Sequence, residues 1–72
     1  MMKTTPERVF GVKQVARMCL VSNETIRRGV RKHGLVAYNT ERALAMKITE
    51  SDLRAFAERL RVYVDWDVAD GW

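Results

Sequence analysis

The stretch that most constrains the fold is 12–32, in which one apolar helical pattern stops and a basic one begins. Apolar side chains recur at spacings of three and four in its first part: Val12, Val15, Ala16 and Cys19. This spacing predicts one buried face of a first helix. Leu20-Val21 is the predicted turn that follows, and Ser22 is a strong candidate for the N-cap of a second helix. The order predicts a helix-turn-helix.

The second predicted helix separates its charges from its apolar side chains. Four residues fall within about 100° of one another on a helical wheel and are predicted to face the core: Ile26, Gly29, Val30 and His33. The other side carries Glu24, Arg27, Arg28, Arg31 and Lys32. Gly34 suits the left-handed residue that ends such a helix. A cationic helix behind a turn is what a helix-turn-helix places in the major groove of DNA.

The start of the first helix has two interpretations. Gly11 is one candidate for its N-cap. Thr5-Pro6-Glu7 also has the composition of a helix start, with proline at the first position and an acid near the positive end of the helix dipole. We therefore expect either an early start or a short separate turn before Val12.

The middle of the chain predicts a β-hairpin and a third helix. Leu35–Tyr38 and Ala45–Ile48 have strand composition, and the connector between them, 39–44, carries Arg42 near its tip. Thr49 is a candidate cap for the third helix, with Asp52 in a position close to that of a capping box. The apolar stripe of this helix is Leu53, Phe56, Ala57 and Leu60. The fold class is therefore mainly α with a β-hairpin wing: a small winged helix-turn-helix of the order helix, helix, hairpin, helix.

Composition limits the classes of protein to which the chain can belong. Its 72 residues predict one small domain, near the lower size limit for a hydrophobic core that is stable without disulfides or a bound metal. The single cysteine excludes an intramolecular disulfide framework, and no Cys/His cluster has zinc spacing. The sequence lacks a run of membrane length and the apolar segment of a signal peptide. We expect a soluble cytoplasmic protein that is not associated with a membrane.

The charge is divided unequally along the chain. Residues 1–61 carry all 13 Lys and Arg residues and six acids, whereas 62–72 carry three acids and no base. A basic body attracts polyanions, nucleic acid above all. We therefore divide the chain into a DNA-binding winged helix-turn-helix domain, 1–61, and an acidic aromatic C-terminal tail, 62–72. The tail alternates like a strand but also suits a continuing helix, and it either folds back on the core or docks on a partner.

Several segments together carry a resemblance to a known family. They run from Phe10-Gly11-Val12-Lys13-Gln14-Val15-Ala16 to Ser22, then Thr25-Ile26-Arg27-Arg28, Gly34-Leu35-Val36-Ala37-Tyr38, Met46-Lys47-Ile48-Thr49-Glu50-Ser51-Asp52-Leu53 and Phe56. This pattern, over residues 9–60, resembles the small excisionases and MerR-like helix-turn-helix proteins. Within that group a free-standing domain of this length is similar to the phage excisionases, which are recombination directionality factors. The resemblance implies cooperative binding to tandem sites and DNA bending that directs a phage integrase toward excision.

Two residues depart from the pattern of that group. Leu20 stands where the group usually has a turn glycine, so the turn must be strained or adopt another geometry. Gly29 stands where a large apolar residue usually anchors the second helix, which predicts a thinner core and a cost of about 1 kcal/mol in helix propensity. Neither residue belongs to the predicted basic face.

The candidate DNA-binding residues come from the second helix and the hairpin: Ser22, Asn23, Glu24, Thr25, Arg27, Arg28, Arg31, Lys32, Arg42 and Lys47. The arginines can pair with guanine or clamp phosphate, and Asn23 can read adenine. Ser22, Thr25 and the helix N-terminus suit phosphate. Glu24 either accepts from cytosine or pairs with Arg28, four residues on. In a wing, Arg42 is placed for the minor groove and Lys47 for phosphate.

The alternatives differ in what the basic face meets. The charges can simply solvate a helix, or the chain can be a small transcription regulator of the AlpA and MerR type with the same fold. A third possibility, from a different class, is a protein-interaction module that binds an acidic partner. We expect no enzyme, cofactor or metal, because the carboxylates show no pairing with a histidine or nucleophile. His33 is predicted to pack or to cap, and Cys19 to be inert core.

Overall fold

The structure is a computed structural model that describes residues 7–42 and 45–71. It is small and mostly helical, with one two-stranded antiparallel sheet in the described part of the chain. The elements in order are β1 (Val9–Gly11), α1 (Val12–Cys19), α2 (Asn23–Lys32), β2 (Lys47–Thr49), α3 (Glu50–Leu60) and α4 (Trp66–Asp70). Within the described ranges, no helix combines the length and the hydropathy needed to cross a membrane.

Helix α1 begins at Val12, with Gly11 as its N-cap, as one of the two interpretations predicted. The Gln14 side chain closes this end by accepting a hydrogen bond from the Gly11 N–H at 2.9 Å. Of the alternative start, Thr5 and Pro6 lie outside the described residues, and Glu7 precedes strand β1 rather than a helix. The predicted apolar face is confirmed, since Val12, Val15, Ala16 and Cys19 are all buried.

Of the two geometries predicted for the turn between α1 and α2, the structure has the strained one at Leu20. Leu20 adopts the left-handed conformation, with φ 60° and ψ 42°. Its N–H bonds to the Arg17 carbonyl, and the Val21 N–H bonds to the Ala16 carbonyl at 3.0 Å. These two bonds form the Schellman motif that usually ends in glycine. The turn therefore has the geometry of one that contains glycine, and the backbone of Leu20 is strained because a side chain is disfavoured at positive φ.

Replacing Leu20 with glycine is expected to stabilise the fold by about 1 kcal/mol, because glycine adopts this conformation without steric cost. The leucine side chain is 74% exposed, so little packing is lost with it. The measurement is the urea midpoint of the Leu20→Gly variant. Val36→Gly is the control, since it removes an exposed apolar side chain at a residue without positive φ. A lower midpoint for Leu20→Gly would contradict this account of the turn.

The side of α2 that faces the core is confirmed in part. Ile26 and Gly29 are buried, and Val30 is half-buried. A Cβ at Gly29 would lie 3.5 Å from Phe56 Cζ and 3.8 Å from Leu35 Cδ2, so these two side chains occupy the space that a larger anchor would fill. A thinner core was predicted at Gly29, but the side chains of Phe56 and Leu35 fill the core there.

The ends of the helices follow the local signals, with two corrections. Ser22 caps α2 by accepting from the Thr25 N–H at 3.1 Å, and Gly34 is left-handed with φ 79°, as predicted. His33 does not face the core as the helical wheel predicted, because it is exposed; it forms the C-cap of α2, which is the second of its two predicted roles. Thr49 caps α3 through the Asp52 N–H at 3.2 Å, again as predicted. Leu60, the last residue of α3, was predicted to be core but is 44% exposed.

The predicted hairpin is reduced to one bridge. Tyr38 and Lys47 exchange two backbone hydrogen bonds of 2.8 and 2.9 Å, but β2 forms its ladder with β1, pairing Ile48 with Phe10. The segment before Tyr38 cannot form a ladder at its start, because the Leu35 N–H is bonded to the Gly29 carbonyl at the end of α2. Pairing β2 with β1 places the buried side chains of Phe10 and Ile48 side by side.

The C-terminal tail folds back on the core, as one of its two interpretations predicted. Arg61 ends α3 in the left-handed conformation, and α4 follows after a short extended segment, so the tail is neither a strand nor a continuation of α3. The Asp65 N–H bonds to the Met18 carbonyl of α1 at 2.9 Å. Trp66 packs against Phe10, with ring centroids 6.4 Å apart, while Tyr63 stays 58% exposed. Trp72 lies outside the described residues.

A cluster of charged side chains connects Arg8, before β1, and Asp70, in α4, to the start of α3. Arg8 donates from Nε to Glu50 Oε1 at 3.0 Å and from Nη1 to Asp70 Oδ1 at 2.6 Å. Glu50 also accepts from Arg54, whose guanidinium lies 4.4 Å from the centroid of the Trp66 ring. The hydrogen bonds from Arg8 and Arg54 lower the pKa of Glu50 to about 2.

Acid is expected to destabilise the fold partly through Glu50. Because its folded-state pKa lies below the usual 4.5, the stability it contributes is present above that value and is lost as the pH falls toward about 2. The melting temperature should fall over this range, and Glu50→Gln should show a smaller fall. Glu58→Gln is the control, since Glu58 is an exposed acid without an ion pair among the described residues. The same fall in Glu50→Gln and the wild type would exclude Glu50 as a contributor.

Candidate nucleic-acid interface

The outward face of α2 carries the predicted cations in the predicted orientation. The side chains that the wheel placed opposite the core are exposed, apart from the half-buried Arg27: Glu24, Arg28, Arg31 and Lys32. The helix is held against α1 and α3 by the buried Ile26 and Gly29 on its other side. The backbone of the cationic helix is thereby fixed while its charged side chains reach solvent.

Glu24 forms ion pairs within α2, but not with the predicted partner. Its Oε1 lies 3.2 Å from Arg27 Nε, and its Oε2 lies 3.0 Å from Arg31 Nη2. The predicted pair with Arg28 is wrong, because one carboxylate oxygen of Glu24 pairs with Arg27 and the other with Arg31. Hydrogen bonds from Arg31 and Arg27 lower the pKa of Glu24, so its carboxylate stays charged near neutral pH.

Arg28 and Lys32 are left with free charged groups. Within the described ranges neither side chain makes a hydrogen bond or an ion pair, and both are exposed. Arg28 offers five N–H donors in a planar fork that fits guanine or phosphate. Unlike Arg27 and Arg31, Arg28 can bind a ligand without first breaking an ion pair among the described residues.

A groove between α1 and the start of α2 adds two cations that the sequence analysis missed. This open groove has a volume of about 470 Å³. Its lining consists of Lys13, Gln14, Ala16, Arg17, Val21, Ser22 and Asn23. Lys13 and Arg17 are four residues apart on the exposed side of α1, and this spacing is the signal that could have identified them. The groove thus brings cations of α1 beside the first residues of α2.

The residues at the start of α2 divide between capping and exposure. The Ser22 hydroxyl lies 2.9 Å from the Thr25 hydroxyl and also accepts from the Thr25 N–H, so these two predicted phosphate ligands hold each other. Asn23 is exposed in the groove, with a side chain free for a ligand. The N–H groups of Asn23 and Glu24 have no carbonyl acceptor within the helix, because they belong to its first turn.

The two cations predicted for the wing have different surroundings. Lys47 of β2 is exposed, and its Nζ lies 4.0 Å from the point where a Cβ at Gly11 would stand. Gln14 Oε1, in the lining of the groove, lies 3.8 Å from the same point, so Lys47 belongs beside the groove. Arg42 is exposed in the turn 39–42, where its N–H bonds to the Asn39 carbonyl. In the described part of the chain no contact connects Arg42 to α2 or to the groove.

The remaining chemistry of the described residues is sparse. They contain no group of three or more His, Cys, Asp or Glu side chains placed to hold a metal ion. Cys19 is buried, and that burial raises the pKa of its thiol. We use the name basic surface for the exposed and half-buried cations of α1, α2 and β2: Lys13, Arg17, Arg27, Arg28, Arg31, Lys32 and Lys47.

We compared the chain with protein families, curated proteins and solved structures. No protein-family model, no curated protein and no solved structure matches the chain.

Proposed function

We propose that the chain is a sequence-specific DNA-binding protein that uses α1 and α2 as the helix-turn-helix of a small winged fold. The observation that carries the proposal is the groove in which Lys13 and Arg17 flank the capped start of the cationic helix α2. A helix-turn-helix binds DNA with its first helix against the backbone and its second in the major groove. The basic surface has the charges that both contacts need.

The basic surface divides naturally between the two kinds of contact. Lys13 and Arg17 line the groove and suit phosphate, together with the N–H groups at the start of α2, and Lys47 near Gln14 suits it as well. Arg28 and Asn23 have free side chains on or beside the outward face of α2 and suit base edges, guanine and adenine respectively. Arg27 and Arg31 can contribute to either contact once α2 lies in the major groove of the DNA.

Within this class we propose an excisionase that binds tandem sites and bends them for a phage integrase. The support is the resemblance over residues 9–60 to the small excisionases. An architectural protein of this kind offsets the cost of bending with added backbone contacts. Circular-permutation analysis of a selected duplex, with the bound stoichiometry, tests the proposal. Several copies side by side on a bent duplex support an excisionase, whereas an unbent single site supports the transcription regulator.

The groove itself can be tested with a double variant. Lys13→Ala with Arg17→Ala is expected to weaken binding to all duplexes alike, because phosphate contacts carry no sequence information. The slope of log K against log salt should become less steep by about 0.9 for each lost contact. The control is Arg61→Gln, which removes one charge outside the groove and gives the effect of net charge for each lost cation. Equal slopes for the groove variant and the wild type would exclude the groove from the phosphate contacts.

A further inference from the structure

We propose that Glu24 is a selectivity residue that suppresses binding to DNA of unrelated sequence, an inference that rests on the proposed DNA-binding function. The carboxylate lies on the outward face of α2, and its exposed fraction is 51%. A carboxylate on a surface that meets phosphates is repelled by them and weakens the contact. Its place in the middle of a cationic face therefore needs an explanation other than affinity.

The two ion pairs of Glu24 supply that explanation. One carboxylate holds Arg27 at 3.2 Å and Arg31 at 3.0 Å, so two of the three arginines of α2 are already paired in the free protein. The second pair spans seven residues, nearly two turns of helix, which keeps both arginine side chains along the helix surface. Arg27, Arg31 and Glu24 together present one net positive charge instead of two.

This arrangement acts unequally on the two modes of DNA binding. Binding to unrelated sequence depends on phosphate charge alone, so it falls with the net charge of the basic surface. Binding to the target also uses base contacts in fixed geometry. There the ion pairs hold Arg27 and Arg31 in place in advance, and each guanidinium keeps further N–H groups for the ligand. Glu24 thus lowers the first affinity and leaves the second largely unchanged.

The experiment compares Glu24→Gln with Glu58→Gln, an exposed acid of α3 whose loss changes the net charge equally. Each variant is titrated by fluorescence anisotropy with a random-sequence duplex and with the tightest duplex selected from a random pool by the wild type. Glu24→Gln is expected to bind the random duplex about 3- to 10-fold more tightly, with little change for the selected duplex. Glu58→Gln should shift both affinities by the same small factor.

Glu24→Asp keeps the charge but is too short to reach both arginines, so it should fall between the wild type and Glu24→Gln. The proposal is overturned if Glu24→Gln and Glu58→Gln have equal effects. It is also overturned if Glu24→Gln loses affinity for the selected duplex alone, which would make Glu24 a base-contacting residue. If the wild type binds no duplex, the proposed function itself fails, and this outcome is distinct from the other two.

Discussion

Deletion of residues 62–72 is expected to unfold the protein at room temperature. The deletion removes the buried Ala69 and the side chains of Val62, Val64, Trp66 and Val68, which pack against the core. Losing this apolar contact costs on the order of 5 kcal/mol, because each buried side chain of this size contributes about 1.5–3 kcal/mol and most of these are buried only in part. The single core of a domain this small rarely supplies more than about 3–5 kcal/mol of stability, so little or none remains.

The measurement is far-UV circular dichroism with a urea titration of the truncated chain. The deletion also takes away the bond from the Asp65 N–H to Met18 and the ion pair between Asp70 and Arg8. Tyr63→Ala is the matched control, since Tyr63 lies in the same segment with an exposed side chain and should leave the midpoint nearly unchanged. A truncated chain that unfolds cooperatively at the wild-type midpoint would contradict the core role of the tail and favour a role in partner contact.

Replacing Arg28 and Arg31 with alanine is expected to weaken DNA binding more than any other pair on the basic surface. A good bidentate contact from arginine to guanine contributes about 1–3 kcal/mol, which corresponds to about 5- to 150-fold in affinity for each residue. Arg28 has no partner to leave among the described residues, so its loss removes donors directly. Loss of Arg31 additionally frees one carboxylate oxygen of Glu24, which repels the backbone.

Gel-shift titration of the single and double variants on a selected duplex measures these losses. Both side chains are exposed, so the variants should keep the wild-type circular dichroism spectrum. Arg61→Gln, which removes one cation at the end of α3, gives the effect of net charge alone. If Arg28→Ala and Arg31→Ala each bind like the wild type, α2 is not the recognition helix.

The elements that the sequence predicts well depend on signals between near neighbours. Ser22, Thr49 and Gly34 act on backbone groups within a few residues, so their roles as caps and as a left-handed helix end follow from the local sequence. The same is true of the face of α2, because a helix fixes which residues share a side. These signals were sufficient to place the cations of α2 on the outside.

The errors concern contacts between distant parts of the chain. Strand β1 is only three residues long, and its pairing with β2 depends on burying Phe10 beside Ile48, which no local pattern indicates. The error at Leu35 is local instead: its N–H bonds to the Gly29 carbonyl across the helix end at Gly34, so the predicted strand cannot begin there. Lys13 was missed because its spacing to Arg17 gains meaning only when α1 lies against the start of α2.

The most direct test of the central claim is the salt dependence of wild-type binding to its selected duplex. If the basic surface meets phosphates as proposed, log K should fall linearly with log salt between about 50 and 200 mM, with a slope of about −0.9 for each phosphate contact. Lys13, Arg17 and Lys47 alone predict a slope of about −2.7, and the cations of α2 make it steeper. A slope near zero, or equal affinity for the selected and random duplexes, would contradict sequence-specific binding through this surface.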